Sequence, residues 1–323
     1  MSISASAADY IVDRRRLRRQ VTFWRIVAFL VVALAIVGVA YRFSGAAGAP
    51  YQAHIARLAI SGIITGDDAT LKTIRDIADS KAAAVVLTIE SPGGTTTGAE
   101  LLFNELRRLA AKKPVVAVVG TMAASGAYIA ALGADRIFVQ GNSLVGSIGV
   151  IIEFPNFAGL LDKLGVKFEE IKSSPLKAAP NGMEPTSEAA RAAMAALIAD
   201  SFDWFKGLVK DRRHMSDDEL AAVDDGRVFT GRQGVSLKLV DAIGDERAAI
   251  AWLETEKGVP KDLPVHDWRP QKSLGFSLLG SAASIADGLG FSNLAYVLKR
   301  GELDSESQLL DGLVSIWQIP TGN

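Results

Sequence analysis

No cysteine occurs anywhere in the chain, which excludes a thiol nucleophile, a disulfide framework and any cysteine-held metal together. The compartment stays open, because an exported protein can do without disulfides. Histidine is nearly as scarce, with only His54, His214 and His266. None lies in a strand-end loop of the expected core, so a Ser-His-Asp triad is not expected. There is no His-Glu-x-x-His pattern, and neither a metal nor an organic cofactor is implied. An excess of one charge sign is lacking too: 35 Lys and Arg face 36 Asp and Glu. No global basic field therefore points to nucleic acid as a partner. What the chain does have is apolar residues, 49% against 22% charged, over 323 positions. That suits a packed core: one large domain with attachments, or two small ones.

One uncharged run stands apart. Ile26 to Tyr41 (IVAFLVVALAIVGVAY) is bracketed by Arg25 and Arg42. As a helix it spans roughly 24 Å against a hydrocarbon core of ~30 Å, with Phe23 and Trp24 extending it at the interface. Upstream stand Arg14, Arg15, Arg16, Arg18 and Arg19; downstream of Arg42 no Lys or Arg appears before Arg57. The expectation is a transmembrane anchor at 26–42 behind a cytoplasmic basic tail at 1–25, with the remainder extracytoplasmic. A cleaved signal peptide ending near Ala47-Gly48-Ala49 is the alternative, which Pro50 and the long N-region disfavour. A twin-arginine signal at Arg18-Arg19 fits its surroundings poorly.

Residues 43–53 (FSGAAGAPYQA) read as a linker. Strand patterns then alternate with helical ones. Ile55 to Ile60, Ala83 to Glu90, Pro114 to Gly120, Ile137 to Val139 and Val145 to Ile152 read as strands. Leu71 to Ser80, Thr97 to Ala111, Ala123 to Leu132 and 187–210 read as helices. Uninterrupted β-branched runs are expected of buried parallel strands with helical crossovers. After Gly258 three prolines interrupt the chain. Residues 259–323 then read as a helical appendage for docking or assembly, with helical spacing over 273–298 and a last apolar segment at 309–319.

Two strand-end loops hold residues suited to chemistry, since α/β sheets place reactive groups at the carboxyl ends of their strands. Ser91-Pro92-Gly93-Gly94 breaks the second strand, and paired glycines allow backbone N–H groups to face a ligand. A tight turn explains the same residues. Thr121-Met122-Ala123-Ala124-Ser125-Gly126 enters a helix directly after the next strand. Ser125 is placed either as a nucleophile or as a helix N-cap. With no histidine at hand, a desolvated lysine is the available base. Lys177, in Ser173-Ser174-Pro175-Leu176-Lys177-Ala178-Ala179-Pro180, has apolar neighbours and flanking prolines.

In order, SPGG, Ala-Ala-Ser-Gly, Val145-Gly146-Ser147-Ile148-Gly149 and a lysine some fifty residues after the serine resemble signal peptide peptidase A. This is the protease IV family of Ser-Lys peptidases. Gly226-Arg227-Val228-Phe229-Thr230-Gly231 and Leu239-Val240-Asp241-Ala242-Ile243-Gly244 match its closing pattern, so the resemblance covers roughly 54–258. It implies a ClpP/crotonase-like α/β fold: a layered parallel sheet with flanking helices, here joined to one N-terminal transmembrane helix. It further implies Ser125 as nucleophile, Lys177 as base, Ser147 orienting that base, and the N–H groups of Gly94 and Gly126 as oxyanion hole. Half-length chains in the family assemble as homo-oligomers that join the serine and lysine of neighbouring copies. The implied function is a membrane-anchored serine endopeptidase of the bacterial-type inner membrane, degrading remnant signal peptides and other membrane-released peptides. One departure is local: the family's Gly-x-Tyr-Lys is replaced by Ser174-Pro175-Leu176-Lys177, which makes Lys172 the fallback base. A catalytically degenerate scaffold and an acyl-CoA enzyme of the same fold are the competing readings.

Overall fold

A computed structural model describes residues 19–31, 33–34, 52–270 and 314–316. The chain divides into two compact units, Met1–Gln52 and Ala53–Asn323. In the first unit the described residues form a helix, α1, over 19–31 and 33–34, with mostly exposed side chains. Among the described residues no helix is long and apolar enough to cross a membrane. This corrects the expected transmembrane helix at 26–42. With it go the membrane partner, the inner-membrane localisation and the anchored form of the peptidase. The physical reason lies in length and charge. The continuous stretch 19–31 reaches only about 20 Å, and Arg19 and Arg25 fall within it. The rest of the expected span, 35–42, lies outside the described residues.

The second unit is built on a nine-stranded sheet with the path β6-β5-β3-β2-β1-β8. Its central strands are β1 (His54–Ile64), β2 (Ala82–Thr95) and β3 (Val115–Ala124), all parallel. The crossovers are α2 (Asp68–Asp79) and α3 (Thr96–Ala110). β3 then divides its partners. Val116–Val119 pair with β4 (Arg136–Val139), whereas Met122–Ala124 pair with β5 (Leu144–Gly146). α4 (Gly126–Leu132) connects β3 to β4. α5 (Ala158–Lys163), α6 (Glu188–Arg213) and α7 (Asp217–Ala221) follow, then β6 (Val228–Thr230), α8 (Gly231–Ser236), β7 (Ala242–Ile243) and α9 (Glu246–Glu256). β8 (Val265–Trp268) adds parallel to β1. β9 (Val314–Ile316) adds antiparallel to β2.

Period-two alternation explains why the strand sequences are apolar on both sides. Leu58, Val85, Leu87, Val115 and Ala117 face the larger core with α3, α4 and α6. Their neighbours Ile55, Ala84, Val86, Val116 and Val118 face a second core closed by Ala249 and Leu253 of α9. Side-chain caps begin two of the crossover helices. The Asp67 carboxylate accepts from the Thr70 N–H at 2.9 Å, and the Thr95 hydroxyl from the Gly98 N–H at 3.1 Å. Each such cap stabilises its helix by about 1 kcal/mol.

Three further expectations are corrected. The sheet is mixed rather than parallel: β5–β6 and β2–β9 are antiparallel pairs, each including a three-residue strand too short to announce itself by periodicity. The expected strand Val145–Ile152 stops at Gly146, because Ser147 turns to φ 53°. Ser91-Pro92-Gly93-Gly94 does not end β2. The strand continues through a register shift and pairs Gly93 and Gly94 with Ile63 and Ile64. β8 and β9 both come from the region 259–323. Residues 271–313, where the helical spacing falls, lie outside the described residues.

Candidate active site

Ser125 stands where β3 ends and α4 begins, 1% exposed. Its backbone has φ 57° and ψ −119°, outside the regions open to ordinary L-residues. Such conformations cost on the order of 1–3 kcal/mol and persist only where the surroundings impose them. Here the surroundings are explicit. The Ser125 N–H donates to the Gly146 carbonyl at 2.8 Å, and Ala124 pairs with Gly146. The Ser125 carbonyl accepts from the Tyr128 N–H at 2.9 Å. Tyr128 is fully buried and donates its hydroxyl to the Leu239 carbonyl at 2.7 Å. Burial pushes the Tyr128 phenol well above its usual range, so it remains a donor. At the far end of α4, Arg212 donates to the Leu132 and Ala134 carbonyls at 2.8 and 2.9 Å. Arg107 donates to the Gly133 carbonyl at 2.9 Å. The helix that carries the serine is thus pinned at both ends.

Ser147 follows Gly146 as Ser125 follows Ala124, so each serine comes directly after one residue of the last β3–β5 pair. Ser147 is buried, and its N–H donates to the Arg227 carbonyl at 2.9 Å. Gly94 lies at the adjacent strand end, where a Cβ would fall 1.9 Å from the Ile64 carbonyl oxygen. Only glycine fits this approach. Gly126 is the first residue of α4 and is buried. Four of the five expected site residues, Gly94, Ser125, Gly126 and Ser147, therefore sit at neighbouring strand ends.

Lys177 sits apart. It is exposed, in a turn over 175–178, and its ammonium makes no hydrogen bond or ion pair with any described residue. Lys172, expected to be solvated, is instead three-quarters covered or more and ion-paired with Glu170 and with Glu184, the latter at 3.5 Å. Its charge is held for structure. The histidines are far from strand-end duty: His54 and His266 form an edge-on ring pair beside Trp268 where β1 begins, and His214 closes α6. Among the described residues no group of three or more His, Asp or Glu is placed to hold a metal ion.

Several supporting residues escaped the sequence reading. The Ser91 hydroxyl donates to the Gly62 carbonyl at 2.6 Å and accepts from the Gly93 N–H at 3.1 Å, locking the glycine pair. The Glu90 carboxylate accepts from the Thr121 N–H at 2.6 Å, in space that a Cβ on Gly120 would take. Asp241 accepts from the Ile137 N–H at 2.7 Å and forms a two-pronged pair with Arg213 at 3.0 and 3.2 Å. Of these, Ser91 had a signal in the Ser91-Pro92-Gly93-Gly94 motif and Asp241 in the closing motif, whereas Glu90 had none.

Ser125 is thus presented on a strained strand-to-helix turn beside glycine-rich strand ends. Comparison with known proteins narrows the class. Residues 107–260 match the sequence model of peptidase family S49. A putative protease of Synechocystis is 33% identical over 244 residues, 74% of this chain and 88% of its own. A putative protease of Methanocaldococcus jannaschii is 33% identical over 54% of this chain and 57% of its own length. A putative signal peptide peptidase of Enterococcus faecium is 34% identical over 58% and 55%. The chain belongs to peptidase family S49, the protease IV family of serine proteases.

Proposed function

We propose that this chain is a serine peptidase in which Ser125 attacks the scissile carbonyl and Lys177 of a second copy accepts its proton. The observation that carries the reading is Ser125 itself, buried and held in a strained turn between Gly94 and Ser147. The N–H groups of Gly94 and Gly126 serve as donors to the oxyanion, where each is worth about 10²–10³ in rate. Ser147 orients the amine that reaches Ser125, and the same amine later activates the water that releases the acyl group.

The second copy enters because the Lys177 ammonium has no hydrogen-bond or ion-pair partner among the described residues and lies beyond an exposed apolar stretch. Phe154, Phe157, Leu160, Leu164, Phe168 and Ile171 all stand open between Ser147 and Lys177. Contiguous apolar surface of this kind marks a protein contact. Docked on a neighbour, the stretch would be covered and Lys177 desolvated, the condition a lysine base requires.

The test is cleavage of a fluorogenic peptide by full-length wild type, Ser125→Ala and Lys177→Ala. Both variants should lose activity by on the order of 10⁴-fold or more. Mixing the two inactive variants should restore a measurable fraction, because one copy then supplies the serine and another the lysine. Undiminished activity in Lys177→Ala would move the base elsewhere; no recovery on mixing would return the dyad to a single chain.

A further inference from the structure

Lys177 lies on a loop whose two legs are tied to each other. On the first leg Lys172 is ion-paired with Glu170. It also reaches across to Glu184 on the second leg, at 3.5 Å. Asn181, on that second leg, donates its side-chain amide to the Glu170 carboxylate at 2.9 Å. The Asn181 side-chain oxygen accepts from the Met183 and Glu184 N–H groups at 3.0 and 3.2 Å, which fixes the turn there. The second leg is fastened in turn to residues further back in the chain. The Gly182 carbonyl accepts from the Phe157 N–H at 2.7 Å, and the Asn156 side-chain amide donates to the Glu184 carbonyl at 3.0 Å. Gly182 is buried at φ 75°, and a Cβ there would fall 2.4 Å from the Pro155 carbonyl oxygen, so only glycine permits this approach.

Beyond these ties the loop is open. Residues 173–178 are exposed, and turn hydrogen bonds from the Lys177 N–H to the Ser174 carbonyl at 3.1 Å and from the Ala179 N–H to the Leu176 carbonyl at 3.3 Å shape its tip. The ion pair is unusual in this setting. The Lys172 and Glu170 side chains are only 17% and 20% exposed, in a stretch that leaves large apolar side chains open. Covering charge is costly unless it is paired and hydrogen-bonded, and here the covered charges sit at the neck of the loop. We propose that Lys172, Glu170, Asn181 and Glu184 form a clasp that positions Lys177: it closes the loop at its base, so the amine at the tip meets Ser125 in one geometry rather than many. The proposal rests on the reading of Lys177 as base. Lys172 is then a positioning residue that acts through its charge and never on the substrate. A loop ordered before docking lowers the entropy lost at each encounter, and a misplacement of about 1 Å between reacting groups can cost about 10²-fold in rate.

Kinetics and proximity test this in the full-length chain. Lys172→Met removes the charge and keeps the length of the side chain. Lys172→Arg keeps the charge but, with a guanidinium that stays protonated, is unable to act as a base. Lys172→Met should lower kcat on the fluorogenic peptide by on the order of 10–10²-fold with KM unchanged, and Lys172→Arg should restore most of it. Because the chain has no cysteine, Ser125→Cys with Lys177→Cys supplies the only two thiols, and a short bifunctional thiol reagent then reports how often the two positions meet. Mass spectrometry of the linked peptides should show bridging slowed about tenfold when Lys172→Met is added. Equal bridging with and without Lys172→Met overturns the clasp and leaves the pairing of Ser125 with Lys177 standing; an unchanged kcat also overturns the clasp. A Lys172→Arg variant as inactive as Ser125→Ala would make Lys172 the base itself and overturns it too. No bridging even with the clasp intact would sink the Ser125–Lys177 pairing, and the proposal with it. Should Lys172→Met fail to fold, Asn181→Asp decides by the same readouts. It keeps the oxygen that the Met183 and Glu184 N–H groups need and sets a second carboxylate against Glu170.

Discussion

The strand ends around Ser125 and the stretch that carries Lys177 follow opposite rules. Around Ser125 every backbone turn is over-determined: by the Gly146 carbonyl, by buried Tyr128, by two arginines on the far end of α4 and by a glycine at 94 that admits no side chain. Between residues 151 and 186 only the short α5 is regular, and large apolar side chains stand exposed. One region is closed by packing within its own chain; the other leaves large apolar side chains exposed. The contrast teaches why the proposed nucleophile and the proposed base differ so sharply in definition. Strain at Ser125 must be held by local packing, whereas a base delivered by a partner is placed by association.

The contrast can be broken by substitution, beginning where the effect is largest. Ser125→Ala should abolish peptide cleavage by on the order of 10⁴-fold or more with an unchanged thermal midpoint. Gly94→Ala should cost on the order of 10²–10³ in kcat by displacing an oxyanion donor. Backbone overlap with Ile64 should also destabilise it by about 1–3 kcal/mol. Leu58→Ala and Leu164→Ser set the two regions side by side. The first removes a fully buried core residue and should cost about 2–5 kcal/mol in chemical denaturation. The second should leave the subunit within about 0.5 kcal/mol yet shift the mass measured by light scattering toward single chains. Equal loss of stability in both would show the stretch 151–186 to be core after all.

Smaller effects sharpen the same picture. Asp241→Ala strips charged partners from Arg213 and the Ile137 N–H and should cost about 1.5–3 kcal/mol. At the sheet edge, the Arg57 guanidinium holds the Asp267 carboxyl below the usual carboxylate range, chiefly through their hydrogen bond. A lowered folded-state value means the pair stabilises above the ordinary carboxylate pKa and is lost as pH falls through the lower one. The pair is half exposed, so acid titration and Asp267→Asn should each move stability by only about 0.2–1 kcal/mol.

How much of this was legible depended on range. Ala83–Glu90 and Pro114–Gly120 announced β2 and β3 because residues buried on both faces leave an unbroken apolar run. The site's serines and glycines were legible as motifs, but not the geometry that makes them a site. Ser125 at φ 57° depends on a carbonyl from another strand, and no local propensity encodes it. The membrane span was misread because an apolar run alone does not state how long a helix it forms. Three-residue strands such as β6 and β9 carry no period, and their antiparallel pairing follows from partners far away in the chain.

The sequence by itself determined the alternation of strand and helix, the family, and which residue types could do chemistry without histidine, cysteine or metal. These follow from local spacing and composition, which act before any fold exists. Only the tertiary structure decided that Ser125 and Ser147 each follow a residue of one strand pair, that the Lys177 ammonium has no partner among the described residues, and that β9 lies along Gly93–Thr95. Each of those depends on which backbone groups remain unpaired once the central strands have formed. Pairing across a sheet is a property of the whole arrangement, and no single segment contains it.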